Sequence, residues 1–225
     1  MYRLNSFFLF ALVIFLSGCK SVFDIPSVEG WIIDAETKSP IQGAVVVIER
    51  PVNGGYHGGE IGTLKFQEAV TDKNGYYYIP ELGAVKLDGY IDTSAPYMYV
   101  FKAGYQYASL RNIRNTDRSE EVSERRYQRN QPSVWNKEKI ELSRFVGSDK
   151  EYEFELINIS SSFNRENKFI QTECNWVGYD LPLFFRALNR EESKYSDFID
   201  SRIMDEYKGT KHCEEWKEFL KVYRE

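Results

Sequence analysis

The sequence predicts an α+β protein: an N-terminal antiparallel β-sandwich followed by a mostly helical C-terminal region. Three observations predict it. Between Val28 and Lys102, short runs of β-branched and aromatic residues alternate with turn signals and show no helical period. Beyond Ser148 the apolar residues move to helical spacing. Between the two, Leu110 to Gln131 is dense in Arg, Asn, Glu and Ser and poor in apolar residues, the composition of a linker or a solvated crossing segment.

The chain opens with MYRLNSFFLFALVIFLSGCK. Arg3 supplies a positive start, Phe7 to Phe15 is an apolar run, and the small residues Ser17 and Gly18 follow. An apolar run of about nine residues suits a secretory signal and falls well short of the roughly 20 needed to span a bilayer. Leu16-Ser17-Gly18-Cys19 resembles the lipobox of bacterial lipoproteins. That resemblance implies cleavage before Cys19, a diacylglyceryl thioether and an acylated (palmitate-type) amino terminus, so several chains anchor one residue in the membrane. The alternative is an ordinary secretory signal whose cysteine falls beside the cut. Lys20, where an Asp would signal retention in enteric bacteria, implies an outer-membrane lipoprotein facing the periplasm; a plasma-membrane location is the alternative. Residues 1–18 are then the signal peptide and 19–27 a lipidated tether. The 225-residue chain carries a net charge of −5, about −6 after cleavage, which argues against a nucleic-acid-binding surface.

The first folded unit is expected over 28–113. Val28 to Asp34 alternates as a strand, Thr37-Lys38-Ser39-Pro40 turns, and Val45 to Ile48 is a β-branched run suited to a buried strand. Asp72-Lys73-Asn74-Gly75 is a turn between Phe66–Thr71 and Tyr76–Ile79, and Tyr97 to Lys102 is a further strand ended by Gly104. Val28-x-Gly30, Asp34, Pro40-Ile41-x-Gly43-Ala44, Thr71-Asp72-x-x-Gly75-Tyr76 and Lys102-Ala103-Gly104-Tyr105 together resemble the carboxypeptidase regulatory-like domains over about 80 residues. The resemblance implies a transthyretin-like sandwich of about seven strands. Two stretches depart from the family. Pro51 to Gly62, with five glycines, reads as a long loop, and Glu81 to Pro96 carries no clear strand. Loops on a rigid sandwich are where binding is expected, and Asn53, Tyr56, His57 and Glu60 are the candidate binding residues.

A polar linker at 114–134 and a helical region at 135–225 complete the chain. Ser148 with Glu151 resembles a capping box, with Tyr152, Leu156, Ile159 and Phe163 on one helical face. Asp180 is placed to cap a helix with Pro182 in its first turn and Phe184, Phe185 and Leu188 inward. Ser193 to Tyr223 reads as a helical hairpin. Cys174 and Cys213 form an even pair in an exported chain and read as a disulfide closing about 40 residues, with two free buried thiols as the alternative. The chain-entropy estimate for such a link is roughly 4 kcal/mol.

No catalytic or metal-binding set is legible. Only His57 and His212 are present; each has a Glu three residues on (Glu60 and Glu215), but a zinc peptidase domain of about 300 residues exceeds this 225-residue chain. The Tyr-Arg-Gly-Ser tail of hydroxyisourate hydrolase is missing, as is a Gly-x-Ser-x-Gly elbow. Asp72 and Asn74 suggest a calcium loop only in part, because its twelfth position falls on Gly83. Beyond Glu60, His57 has no further clustered ligand partner in the sequence, and its glycine-rich stretch lacks the Gly-Lys-Ser/Thr ending of a phosphate cradle. His212 and Cys213, neighbours on a helix, diverge by about 100°. No cofactor is expected. The leading expectation is a non-enzymatic envelope lipoprotein whose sandwich loops contact a protein, peptide or glycan, with no nucleic-acid partner. The alternatives are an envelope hydrolase using carboxylates such as Glu173 and Asp180, and an immunity or accessory protein of a secretion system.

Overall fold

A computed structural model of the chain describes residues 21–54, 59–87, 92–93, 96–112, 133–162 and 181–195. In chain order the strands are β1 (Ser21–Ile25), β2 (Val28–Asp34), β3 (Val45–Gly54), β4 (Gly59–Val70), β5 (Tyr76–Ile79), β6 (Gly83–Leu87), β7 (Asp92–Thr93), β8 (Tyr97–Phe101), β9 (Ala108–Arg111) and β10 (Glu138–Leu142). Two helices follow, α1 (Asp149–Ser162) and α2 (Pro182–Glu192).

The strands form three sheets. A small sheet runs β10-β2-β5, a larger one β4-β3-β8-β9 with β7 also on β3, and β1 pairs with β6 alone. All pairings are antiparallel except β10 with β2, which is parallel in the register Ile140↔Ile32. The small and larger sheets face each other across a core of Val28, Ile32, Tyr77, Ile79, Ile140 and Leu142 against Val46, Ile48, Met98 and Val100. A second core covers the opposite face of the larger sheet: Val45, Val47, Phe66 and Phe101 meet Tyr152, Leu156 and Ile159 of α1 and Phe184, Phe185 and Leu188 of α2. Layers of sheet, sheet and helix result. β3 lies in the middle layer, which explains its unbroken apolar run: alternate residues point to opposite faces, and here both faces are covered.

The helix faces carry the expected residues. Tyr152, Leu156 and Ile159 are buried on α1, and Phe184, Phe185 and Leu188 on α2; Phe163 lies outside the described residues. The capping box forms as expected. The Ser148 amide donates to Glu151 Oε2 at 2.7 Å and the Glu151 amide to Ser148 Oγ at 3.4 Å. The bonds from Ser148 hold the Glu151 carboxyl below its usual range. The N-cap of α2 differs from the expectation. Leu181 occupies it, with no side-chain bond, and Asp180 lies outside the described residues. The exposed amides of Leu183 and Phe184 instead donate to the two carboxylate oxygens of Glu68 on β4, at 2.7 and 2.9 Å. A carboxylate suits the positive end of a helix, and this one comes from a strand 115 residues away, fastening α2 to the larger sheet.

Four further expectations are corrected. The tether at 19–27 contains β1, because Ser21–Ile25 finds a complete antiparallel partner in β6. Glu81 to Pro96 therefore does carry strands, β6 and β7. The region assigned to helices at 135–225 begins with sandwich: Trp135, Ile140 and Leu142 are buried in the inter-sheet core, and β10 gives the small sheet an edge. On either side of 55–58, which lie outside the described residues, Pro51 to Gly54 and Gly59 to Gly62 are not loop: β3 and β4 continue as paired strands through Gly54↔Gly59. The helical hairpin expected at 193–223 lies outside the described residues apart from the turn at 193–195.

Candidate functional site

The sandwich has two unlike ends. One gathers most of the signature residues. Asp34 Oδ1 accepts the amides of Glu36 and Thr37 at 3.0 and 2.9 Å, while Oδ2 accepts the Tyr105 hydroxyl at 2.9 Å and pairs with Arg144 Nε at 3.1 Å. The Thr37 amide above all, then Tyr105 and the Glu36 amide, hold this carboxyl at about 2, against the raising effect of burial. Arg144 also lies over the Tyr105 ring, 5.3 Å from its centroid. Thr71 Oγ1 accepts the Ala44 amide at 2.8 Å and donates to the Ile41 carbonyl at 2.7 Å. Asp72 Oδ1 accepts the Asn74 and Tyr76 amides. Gly75 has φ +71°, and a Cβ there would lie 2.4 Å from the Ile32 carbonyl oxygen. These residues close the fold's turns, and the bonds they make are internal.

The other end carries the candidate binding residues. β3 and β4 run on as a ribbon in the register Pro51↔Thr63, Val52↔Gly62, Asn53↔Glu60 and Gly54↔Gly59, with bulges between Arg50 and Pro51 and between Val52 and Asn53. Bulges bend and twist a ribbon away from its parent sheet. β7 flanks it, Thr93 opposite Val52 and Asp92 opposite Asn53. Asn53 is half-buried on this arm and Glu60 stands opposite it; Tyr56 and His57, at the tip in sequence, lie outside the described residues. The other edge of β4 has no paired strand among the described residues.

The root of the arm is chemically fixed. Glu49 is 6% exposed and accepts the hydroxyls of Thr63 and Tyr99, both at 2.6 Å. Arg50, equally buried, points to the opposite face of the sheet; its Nε donates to Gln67 Oε1 and its Nη2 to the Pro26 carbonyl, each at 3.3 Å. Burial lowers the guanidinium to about 10, so it stays charged at neutral pH. On the face of Glu49, Tyr97, Tyr99 and Tyr107 form a stacked run, 6.4 and 6.2 Å between ring centroids, continued edge-on by Phe184. The arrangement offers a preformed ribbon on a rigid root, beside a row of aromatic faces. Sequence reasoning missed Glu49, Arg50 and Tyr99, since buried charges on a β-branched strand carry no local mark.

Cys19, Cys174 and Cys213, and the alternative carboxylates Glu173 and Asp180, all lie outside the described residues. Among the described residues no three His, Cys, Asp or Glu side chains gather as a metal set, and no helix is long and apolar enough to cross a membrane. One carboxylate outside the arm is unusual. Glu192, at the end of α2, is 2% exposed, neither oxygen has a hydrogen-bond partner among the described residues, and burial pushes it up to about 7.

No family model matches the chain, and no curated protein matches it. Among solved structures, a chain of a type II cohesin–X-dockerin complex from Acetivibrio cellulolyticus, an N-terminal interface mutant, is 17% identical. The alignment covers 76% of this chain and 94% of that one, at a TM-score of 0.25, which establishes neither a shared topology nor a shared function.

Proposed function

We propose that the protein is an envelope lipoprotein, anchored through acylated Cys19, whose carboxypeptidase regulatory-like (transthyretin-like) sandwich acts as a non-enzymatic binding module for an envelope protein, peptide or glycan. The observation that carries the binding reading is the arm: a glycine-rich ribbon of paired strands continues β3 and β4 beyond Arg50, with Glu49 and Arg50 locked at its root. The stacked tyrosines beside the ribbon suit a sugar or peptide face. The meeting of Asp34, Thr71, Asp72, Gly75 and Tyr105 at one end of the sandwich supports the family reading. Replacing residues 54–59 by Asn-Gly recloses Asn53↔Glu60 as a two-residue hairpin. With the lipidated protein as bait in envelope extracts, that variant should lose at least tenfold in partner recovered. Full recovery would refute the arm as the binding element. Cys19→Ala should leave the membrane fraction or accumulate as precursor; unchanged fractionation with a normal mature mass would refute the anchor.

A second reading, an envelope hydrolase, is favoured by Glu192 alone. An acid held neutral near pH 7 by burial suits general acid catalysis. Its folded-state value lies above its unfolded 4.5, so the folded state binds the extra proton and stability declines as pH rises from about 4.5 through 7. Glu192→Gln should remove that decline. If Glu192 is structural, any envelope activity persists; loss of turnover in a folded Glu192→Gln protein would favour the enzyme.

A further inference from the structure

The anchor and the arm leave the sandwich at the same end. The β2–β5 ladder reaches Val28↔Ile79, and after Pro26–Ser27 on one strand and 80–82 on the other it resumes as β1–β6, from Ile25↔Gly83 to Ser21↔Leu87. The Leu82 amide, donating to the Ile25 carbonyl at 3.1 Å, bridges the break. The arm grows from the larger sheet directly across: Arg50, at its root, donates to the Pro26 carbonyl at 3.3 Å, and Gln67 Nε2 donates to the Pro80 carbonyl at 2.9 Å. Both ribbons, β1–β6 and β3–β4, are thus tied to each other where they begin. Each extends roughly 13 Å, four residue steps at strand rise.

We infer that the arm end of the sandwich is the face held against the lipid surface, and that the signature end points away from it; this rests on the lipoprotein reading of Cys19. Only Lys20 separates Cys19 from β1, so the acylated residue lies within about 7 Å of Ser21 along the chain. A lipoprotein with a long flexible tether samples all orientations. This one has its tether paired into the fold from Ser21 onward and pinned at Pro26, so the anchor dictates the pose. The Asp72–Gly75 turn stands beyond Val45↔Val70, at the other end of β3, about 30 Å from the arm's last pair at strand rise. The partner of the arm is then one that lies in the headgroup plane, not one approaching from the aqueous side.

Photo-crosslinking of the full lipidated protein in native membranes tests this. p-Benzoylphenylalanine is placed at Asn53 on the arm or at Lys73 in the opposite turn, and phospholipid adducts are read by mass. Asn53 should give at least fivefold more lipid adduct than Lys73. Inserting twenty Gly/Ser residues between Lys20 and Ser21, a coil of roughly 25 Å root-mean-square span, should bring the two sites together in yield. Equal adducts without the insertion, or an excess at Lys73, would overturn the orientation while leaving the anchor standing. An unmodified Cys19 in the intact mass would overturn both.

Discussion

The two ends of the sandwich are built on opposite principles. At the signature end the buried polar groups are used inside the fold: Asp34 alone takes two amides, a hydroxyl and a guanidinium, and Thr71 bonds both sides of its neighbouring turn. At the arm end the described buried polar groups Glu49, Arg50 and Thr63 gather at the root, and the paired strands run on beyond them. The contrast separates what keeps the sandwich closed from what is available to a partner. A ribbon of paired backbone can be bent, extended by another strand or removed at small cost, whereas the closed end cannot lose a residue without opening a turn.

The largest expected effect is at Gly75. Its φ of +71° and the 2.4 Å approach of a Cβ to the Ile32 carbonyl penalise any side chain, so Gly75→Ala should lose about 3 kcal/mol or more, measured by urea unfolding. A loss under about 1 kcal/mol would show that the turn relaxes and weaken the contrast. Acid sharpens it next. The Asp34 carboxyl lies below its ordinary 3.8, so its stabilising bonds are fully present above that value and are lost as pH falls towards about 2. Thermal melts should show stability falling over that window, and Asp34→Asn, less stable at pH 6, should show a shallower fall. The smallest effect belongs to the arm. Replacing residues 54–59 by Asn-Gly removes no described residue of either core, so the Tm should move by less than about 3 °C. A drop of 10 °C would mean the arm is structural.

Legibility in the sequence divides along the same line. Asp34 and Asp72 could be read because the turn amides they accept lie within four residues, and Ser148 with Glu151 because a capping box spans three. β1 could not: SVFDI is short and half polar, and its strand character comes from β6, some sixty residues on. β10 failed for the same reason. EKIEL pairs in parallel with β2 more than a hundred residues earlier, and its charged residues, on an edge strand, gave no strand signal within the region assigned to helices. The arm was taken for a loop because glycine is poor in strands, although its ladder begins in the β-branched run of β3. The helix-facing aromatics of α1 and α2 followed from spacing alone. The Glu68 cap did not, since a carboxylate on a strand gives no sign of the helix it will meet.

Native-state hydrogen exchange on the mature protein compares the two ends in one experiment. The amides of Ile32, Gly43, Ala44 and Thr71, all bonded within the signature end, should exchange only through global unfolding and respond one-for-one to Gly75→Ala. The amides of Val52 to Gly54 and Gly59 to Gly62 should exchange at least a hundredfold faster by local opening, with rates that the same substitution leaves unchanged. Equal protection at both ends, both falling together in Gly75→Ala, would contradict a division between a closing end and a binding end.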